Sequence, residues 1–178
     1  MSQNINKAAL PTTPDALFKI LQDIEIQYKN HHHAPIFTVE EGLHLKAEIP
    51  GVHCRNLFLR DKKEAMILLV AANETQIDLK KLPDLLGCGR LSFGSAERLM
   101  TYLGIYPGAV CPFAVLNDKN HAVRVVLDAA MMQAPIVNYH PLDNAQTVSL
   151  SPAGLLRFFD YTGHRPEIVD LAPAAPNS

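Results

Sequence analysis

The segment that most restricts the fold spans residues 107–128, PGAVCPFAVLNDKNHAVRVVLD. Gly108 and Pro112 bracket a short loop there, because glycine lets another group approach the main chain and proline freezes its own φ. Beyond the loop, apolar runs at 113–116 and 123–127 flank Asn117-Asp118-Lys119-Asn120, a spacing that predicts a β-hairpin. A rigid loop whose main-chain N–H groups face a small ligand is one reading of this segment. An ordinary connecting loop is the other.

The remaining segments extend the pattern. Thr13-Pro14-Asp15 opens a helix with Thr13 as N-cap, and Leu17, Ile20, Leu21 and Ile24 form its apolar face. Thr38-Val39-Glu40-Glu41 fits a capping box that starts a shorter helix before Pro50-Gly51. Residues 55–61 and 65–72 read as paired strands around Lys62-Lys63, and Asp78 caps a short helix that Pro83 disturbs. A strand at 90–93 precedes a helix capped by Ser95 and closed by Gly104. Short strands follow at 136–139 and 147–150, then a helix launched by Ser151-Pro152 and ending near Gly163, and a last strand at 167–171. Hairpins with interspersed helices, without βαβ alternation, predict an α+β fold with a mainly antiparallel or mixed sheet.

Composition removes several function classes. The chain has 178 residues, enough for one domain with a real core. Its formal net charge of −2 lacks the basic excess of a protein that grips long nucleic acid, so any RNA contact is expected to be local. No apolar run approaches the roughly 20 residues that span a bilayer, and the N-terminus lacks signal-peptide character, which predicts a cytoplasmic protein. Cys54, Cys88 and Cys111 form no C-x-x-C pair and fit a reducing compartment.

Four sets of residues carry candidate chemistry. His31-His32-His33 tempts a metal reading, but adjacent side chains on an extended chain alternate in direction, which favours a solvated turn with one ring lining a cleft. Cys111 is either a nucleophile with His140 as base or a small, half-buried side chain at the end of a loop. His140, forced into extended backbone by Pro141, either faces a pocket or bonds in the core. Arg55-Asn56 either recognises a carboxyl, phosphate or ribose or merely forms a turn.

Several of these motifs in order resemble the YbaK/ProX family of aminoacyl-tRNA deacylases. The carriers are Pro50-Gly51 followed by Arg55-Asn56-Leu57-Phe58-Leu59-Arg60-Asp61, Gly94-Ser95 with Glu97-Arg98-Leu99, Gly108-Ala109-Val110-Cys111-Pro112-Phe113, Tyr139-His140-Pro141-Leu142, and Ser151-Pro152 through Phe158 to Gly163-His164 and Pro166. The resemblance implies a single α+β domain over residues 12–171, with a curved, barrel-like sheet and flanking helices, a flexible start (1–11) and a disordered tail (172–178). It implies hydrolysis of the ester on a mischarged aminoacyl-tRNA, with alanine on proline tRNA as the substrate. The alternatives are esters of serine, cysteine or threonine, or a non-catalytic module that binds aminoacylated tRNA or a synthetase.

By the same resemblance, main-chain groups of Gly108, Ala109, Val110, Cys111 and Pro112 hold the ester carbonyl. Asn56 contacts the aminoacyl or ribose end, His140 shapes or polarises the pocket, and Arg55 and His33 assist binding. The partners implied are the 3′ acceptor end of tRNA and prolyl-tRNA synthetase, with no membrane, DNA, cofactor or metal. One departure stands out: the family motif usually has lysine where this chain has Arg55, and a planar guanidinium does not replace a point-charge ammonium.

Overall fold

The computed structural model describes residues 9–36 and 39–172. Its elements run α1 (Pro14–Asp23), β1 (Tyr28–His32), α2 (Val39–Glu48), β2 (Val52–Arg60), β3 (Met66–Ala72), α3 (Leu82–Leu86), β4 (Ser92–Phe93) and α4 (Ala96–Leu103). After a 3-10 helix at Pro112–Asn117 come β5 (Val123–Asp128), β6 (Val137–Tyr139), β7 (Gln146–Leu150), α5 (Pro152–Thr162) and β8 (Glu167–Val169).

The runs on either side of Lys62-Lys63 pair as expected, from Cys54↔Ala72 to Arg60↔Met66. Asp61 holds the turn, its Oδ1 accepting from the Lys63 and Ala65 amides at 2.7 and 3.0 Å. β3 is buried along its whole length because it has a core on each face. Met66, Leu68 and Val70 join the larger core with Phe113 and Phe158, while Ile67, Leu69 and Ala71 join a smaller one with Leu82 and Val126. An uninterrupted apolar strand is the signature of such a two-sided position.

Around this pair the eight strands form one mixed sheet in the order β1-β7-β6-β2-β3-β5-β8, with β4 also on β2. β1–β7, β6–β7, β2–β3 and β2–β4 are antiparallel, whereas β2–β6, β3–β5 and β5–β8 are parallel. The fold is therefore α+β with a mixed sheet and flanking helices.

Three helices start where their caps predict. Thr13 accepts from the Ala16 amide at 3.2 Å, Ser95 from Arg98 at 3.2 Å and Ser151 from Gly154 at 3.0 Å. Each such cap contributes about 1 kcal/mol. In α1, Leu17 and Leu21 are fully buried, each stabilising the fold by roughly 1.5–3 kcal/mol. Gly104 and Gly163 end α4 and α5 in the left-handed conformation. Thr38 of the expected capping box lies outside the described residues, as do 1–8 and 173–178 of the expected loose termini.

Four local expectations are corrected. Residues 113–116 form no strand, so the hairpin is absent. Pro112 starts a 3-10 turn instead, and the run is buried on all sides. A short apolar run satisfies either geometry, and β5 takes β3 and β8 as neighbours. The expected turn residue Asp118 is real, its carboxylate accepting from the Ala122 and Val123 amides at 2.9 and 2.8 Å. His31 and His32 end a strand where a turn was expected. Pro83 sits in the first turn of α3 and starts the helix it was expected to disturb. The strand expected at 90–93 shrinks to two residues.

Candidate active site

β2 changes partners along its length, and that change makes the site. Asn73 N–H donates to the His53 carbonyl and Asp61 N–H to the Ala65 carbonyl, so odd-numbered residues of β2 bond to β3. Even-numbered residues turn their N–H and C=O to the opposite side. There β6 pairs with Val52 and His53, and β4 pairs with Leu59 and Arg60. The main chain of Asn56 thus opens into the interval between two strand partners.

A cavity of about 410 Å³ occupies this interval. His53, Cys54, Arg55 and Asn56 of β2 form one wall, and Asn138, Tyr139 and His140 from β6 and its end form another. Ile36 and residues of α2, including Leu43 and Lys46, form the outer wall. Successive side chains of a strand point to opposite faces, yet Arg55 and Asn56 both line the cavity, at the stretch of β2 between its β6 and β4 pairings.

Arg55 and Asn56 enter the cavity with unspent hydrogen-bonding capacity. Arg55 Nη2 donates to the Thr75 carbonyl. Among the described residues, three buried side-chain polar atoms lack a partner, and two of them are Arg55 Nε and Asn56 Oδ1. Leaving such an atom unpaired costs about 1–3 kcal/mol, so these two adjacent residues of the cavity wall hold polar capacity that the described residues do not use. The turn reading for Arg55-Asn56 does not survive, since both lie within a strand.

His140 completes the polar wall. Its Nδ1 donates to the Gln146 carbonyl at 2.9 Å, which leaves Nε2 as the unprotonated nitrogen. Burial pushes its pKa below the usual 6.5, against the raising effect of that carbonyl, and His33 and His53 reinforce the lowering. The ring is neutral at pH 7 and can accept a proton or a hydrogen bond. His33 lies with its ring centroid 6.4 Å away, its Nε2 2.9 Å from Thr147 Oγ1, and lines an adjoining groove. Alternation puts His31 on the same side as His33, where it meets Ser149, and turns His32 to the other side, where it meets Asn30.

The 108–112 loop lies elsewhere than expected. It does not line the cavity of Asn56 and His140. Instead it packs behind that wall, where Phe113 meets Tyr139 edge-on at 6.1 Å. Gly108 is exposed at φ +94° with open space where a Cβ would stand, so its main chain is approachable. Ala109 N–H is held by the Tyr106 carbonyl at 3.2 Å, and Pro112 has no N–H. Cys111 is fully buried, so the accessible part of the loop is the turn at Gly108 and Val110.

Cys111 is fully buried and its thiol is pushed up to about 12 by that burial, only partly offset by the Leu142, Ala114 and Phe113 amides. The nucleophile reading fails on both access and ionisation. Cys54, on the cavity wall, is likewise pushed up to about 12 by burial.

Sequence reasoning missed Thr75, Asn138 and Thr147. Asn138 is a buried strand asparagine whose side chain bonds the Pro50 and Val52 carbonyls at 3.1 and 3.3 Å and Ser149 Oγ at 2.5 Å. Its only signal in the sequence is an amide in a strand, where asparagine is disfavoured. Thr75 and Thr147 carry no such mark.

Comparisons with known proteins agree on one family. Residues 33–158 match the model of the aminoacyl-tRNA editing domain. The chain is 39% identical over 157 residues to prolyl-tRNA editing protein ProX of Acetoanaerobium sticklandii, covering 88% of this chain and 96% of that one. It is 32% identical over 157 residues to prolyl-tRNA synthetase associated domain-containing protein 1 of Danio rerio, covering 87% and 85%. A crystal structure of a candidate trans-editing enzyme for prolyl-tRNA synthetase shares the fold, with a TM-score of 0.61 at 20% identity over 80% of this chain and 86% of that one. A domain-length family match, a 39% identical relative and the expected α+β sheet agree. The chain belongs to the aminoacyl-tRNA editing domain family and is, by that membership, an aminoacyl-tRNA deacylase.

Proposed function

We propose that this protein is a free-standing editing hydrolase that removes alanine from mischarged proline tRNA. The observation that carries the reading is the pair of unpartnered atoms, Arg55 Nε and Asn56 Oδ1, buried at one cavity beside the neutral ring of His140. The donor suits an anionic or carbonyl oxygen. The acceptor suits an ammonium or a ribose hydroxyl. Those are the groups at the 3′ end of an aminoacylated tRNA, and the modest net charge of −2 suits a contact confined to that end.

In this reading Arg55 holds the terminal phosphate or ribose and Asn56 orients the aminoacyl end. Water attacks the ester carbonyl, and His140 Nε2 accepts a hydrogen bond from that water or from the ribose hydroxyl beside it. The bond to the ribose oxygen breaks, one proton of the water passes to the ribose oxygen and the other to solvent, and the amino acid leaves as its carboxylate. The Gly108–Pro112 loop, which does not line this cavity, supplies no donor to the developing oxyanion in this reading. His33 lines the approach. The protein partner proposed is prolyl-tRNA synthetase and the working compartment is the cytoplasm. Among the described residues no helix is long and apolar enough to cross a membrane.

Alanine is the proposed substrate because a synthetase site shaped for proline rejects a smaller side chain by only about 1–3 kcal/mol per missing methylene. Purified protein is incubated with alanyl-, seryl-, cysteinyl-, threonyl- and prolyl-tRNA(Pro). Alanyl-tRNA(Pro) is expected to lose its amino acid fastest and prolyl-tRNA(Pro) to persist. Faster loss of another small amino acid reassigns the substrate, and no loss above buffer for any ester defeats the enzymatic reading.

A further inference from the structure

We infer that Thr75, fastened by Asp128, is a positioning residue that sets the plane of the Arg55 guanidinium for an anionic oxygen of the tRNA 3′ end. The inference rests on the deacylase reading above and deepens it.

The anchor is a carboxylate with no exposure to water. Asp128 ends β5 and is fully buried. Its Oδ1 accepts from Ala130 N–H at 3.0 Å, and its Oδ2 accepts from Ala72 N–H at 3.2 Å and from the Thr75 hydroxyl. A buried carboxylate persists only when hydrogen bonds replace its water, and these three donors come from the ends of two neighbouring strands. The carboxylate therefore ties the turn after β3 to the end of β5.

Thr75 is gripped twice. Its hydroxyl is held by Asp128, and its N–H donates to the Ala72 carbonyl at 3.1 Å. With both ends fixed, its carbonyl has one direction left, and that carbonyl accepts from Arg55 Nη2. A guanidinium is a rigid planar fork, so pinning one nitrogen orients the others. Arg55 Nε, buried without a partner, is the donor that this clamp holds ready.

An ammonium plays this part less well, because its three donors rotate about one nitrogen and a bond to the Thr75 carbonyl fixes no plane for the others. The clamp thus accounts for an arginine where the resembling family usually has lysine. Arg55→Lys is accordingly expected to lower activity in this chain.

The test compares Thr75→Val, which deletes the hydroxyl at nearly constant volume, with Thr75→Ser, which keeps it. In steady-state deacylation Thr75→Val is expected to raise KM about tenfold with kcat within about twofold, and Thr75→Ser to restore KM. In an Arg55→Ala background Thr75→Val should add no further loss. Equal loss with and without Arg55, or no rescue by serine, overturns the inference.

A second readout needs no turnover. The Arg55 Nε–H resonance in a ¹⁵N spectrum is expected to be sharp and slow to exchange in the wild type and in Thr75→Ser, and broadened in Thr75→Val. An unchanged resonance in Thr75→Val overturns the clamp even if the wild type cleaves none of the esters. That inactivity would by itself defeat only the proposed function.

Discussion

Two regions of the sheet, its β5–β8 edge and its centre at the β2–β6 gap, each hold an arginine–carbonyl contact and a histidine, yet only the second is a candidate site. At the β5–β8 end, Arg124 spends its guanidinium on both oxygens of Glu167, at 2.6 and 2.7 Å, and on the Leu86 carbonyl at 2.9 Å. His164 there spends both ring nitrogens, on Thr162 Oγ1 at 2.9 Å and Asp118 Oδ2 at 3.3 Å. At the β2–β6 gap, Arg55 has a buried nitrogen unspent, and His140 Nε2 has no hydrogen bond to the described residues. Burial lowers the pKa of both histidines and outweighs the Asp118 carboxylate at His164. A lowered pKa therefore marks burial in both regions, and what separates site from scaffold is hydrogen-bonding capacity held in reserve.

The sharpest way to break this contrast is to truncate matched residues. His140→Ala is expected to cut kcat/KM for alanyl-tRNA(Pro) by about 10²-fold or more with little change in Tm. His164→Ala should do the reverse, lowering Tm while the folded fraction keeps its rate. Similar losses of rate in both would erase the distinction. Arg55→Ala against Arg124→Ala repeats the comparison with a smaller effect, about 10–100-fold in kcat/KM for the first and within about twofold for the second.

The two histidines also separate by pH. His140 works neutral and its pKa lies below 6.5, so the rate above buffer should hold as pH falls through 6.5 and drop only lower, and His140→Asn should remove that limb. For His164 the folded pKa lies below the unfolded value of 6.5. Its contribution to stability is complete above 6.5 and is lost progressively as pH falls from there through the folded pKa. Thermal melts between pH 7.5 and 5 should show this decline, and His164→Gln should flatten it.

The smallest effect expected is at Cys111→Ser, where turnover should stay within about threefold because the thiol is buried and un-ionised. Loss of turnover there, in protein with unchanged Tm, would return the cysteine to the mechanism.

How far each feature could be read in advance follows the range of the interaction behind it. The caps at Thr13, Ser95 and Ser151 were legible because an N-cap bond spans three residues. The β2–β3 pair was legible because a short turn joins two alternating runs. The run after Pro112 was misread because four apolar residues satisfy a strand or a 3-10 turn equally, and its surroundings settled the matter. Arg55, Asn56, His33 and His140 were named through family resemblance, yet their residue types alone left turn and core readings open.

By itself, then, the sequence determined the α+β class, the starts of α1, α4 and α5, the central strand pair and the residue types available for chemistry, all of which rest on contacts within a few residues. Only the tertiary structure decided that β2 would meet β6 at one end and β4 at the other, leaving a gap at Asn56. It likewise brought His140 to that gap, moved the 108–112 loop behind its wall and reached across 53 residues to set Asp128 against Thr75. Such pairings depend on which distant groups pack side by side, and no local period or cap encodes that choice.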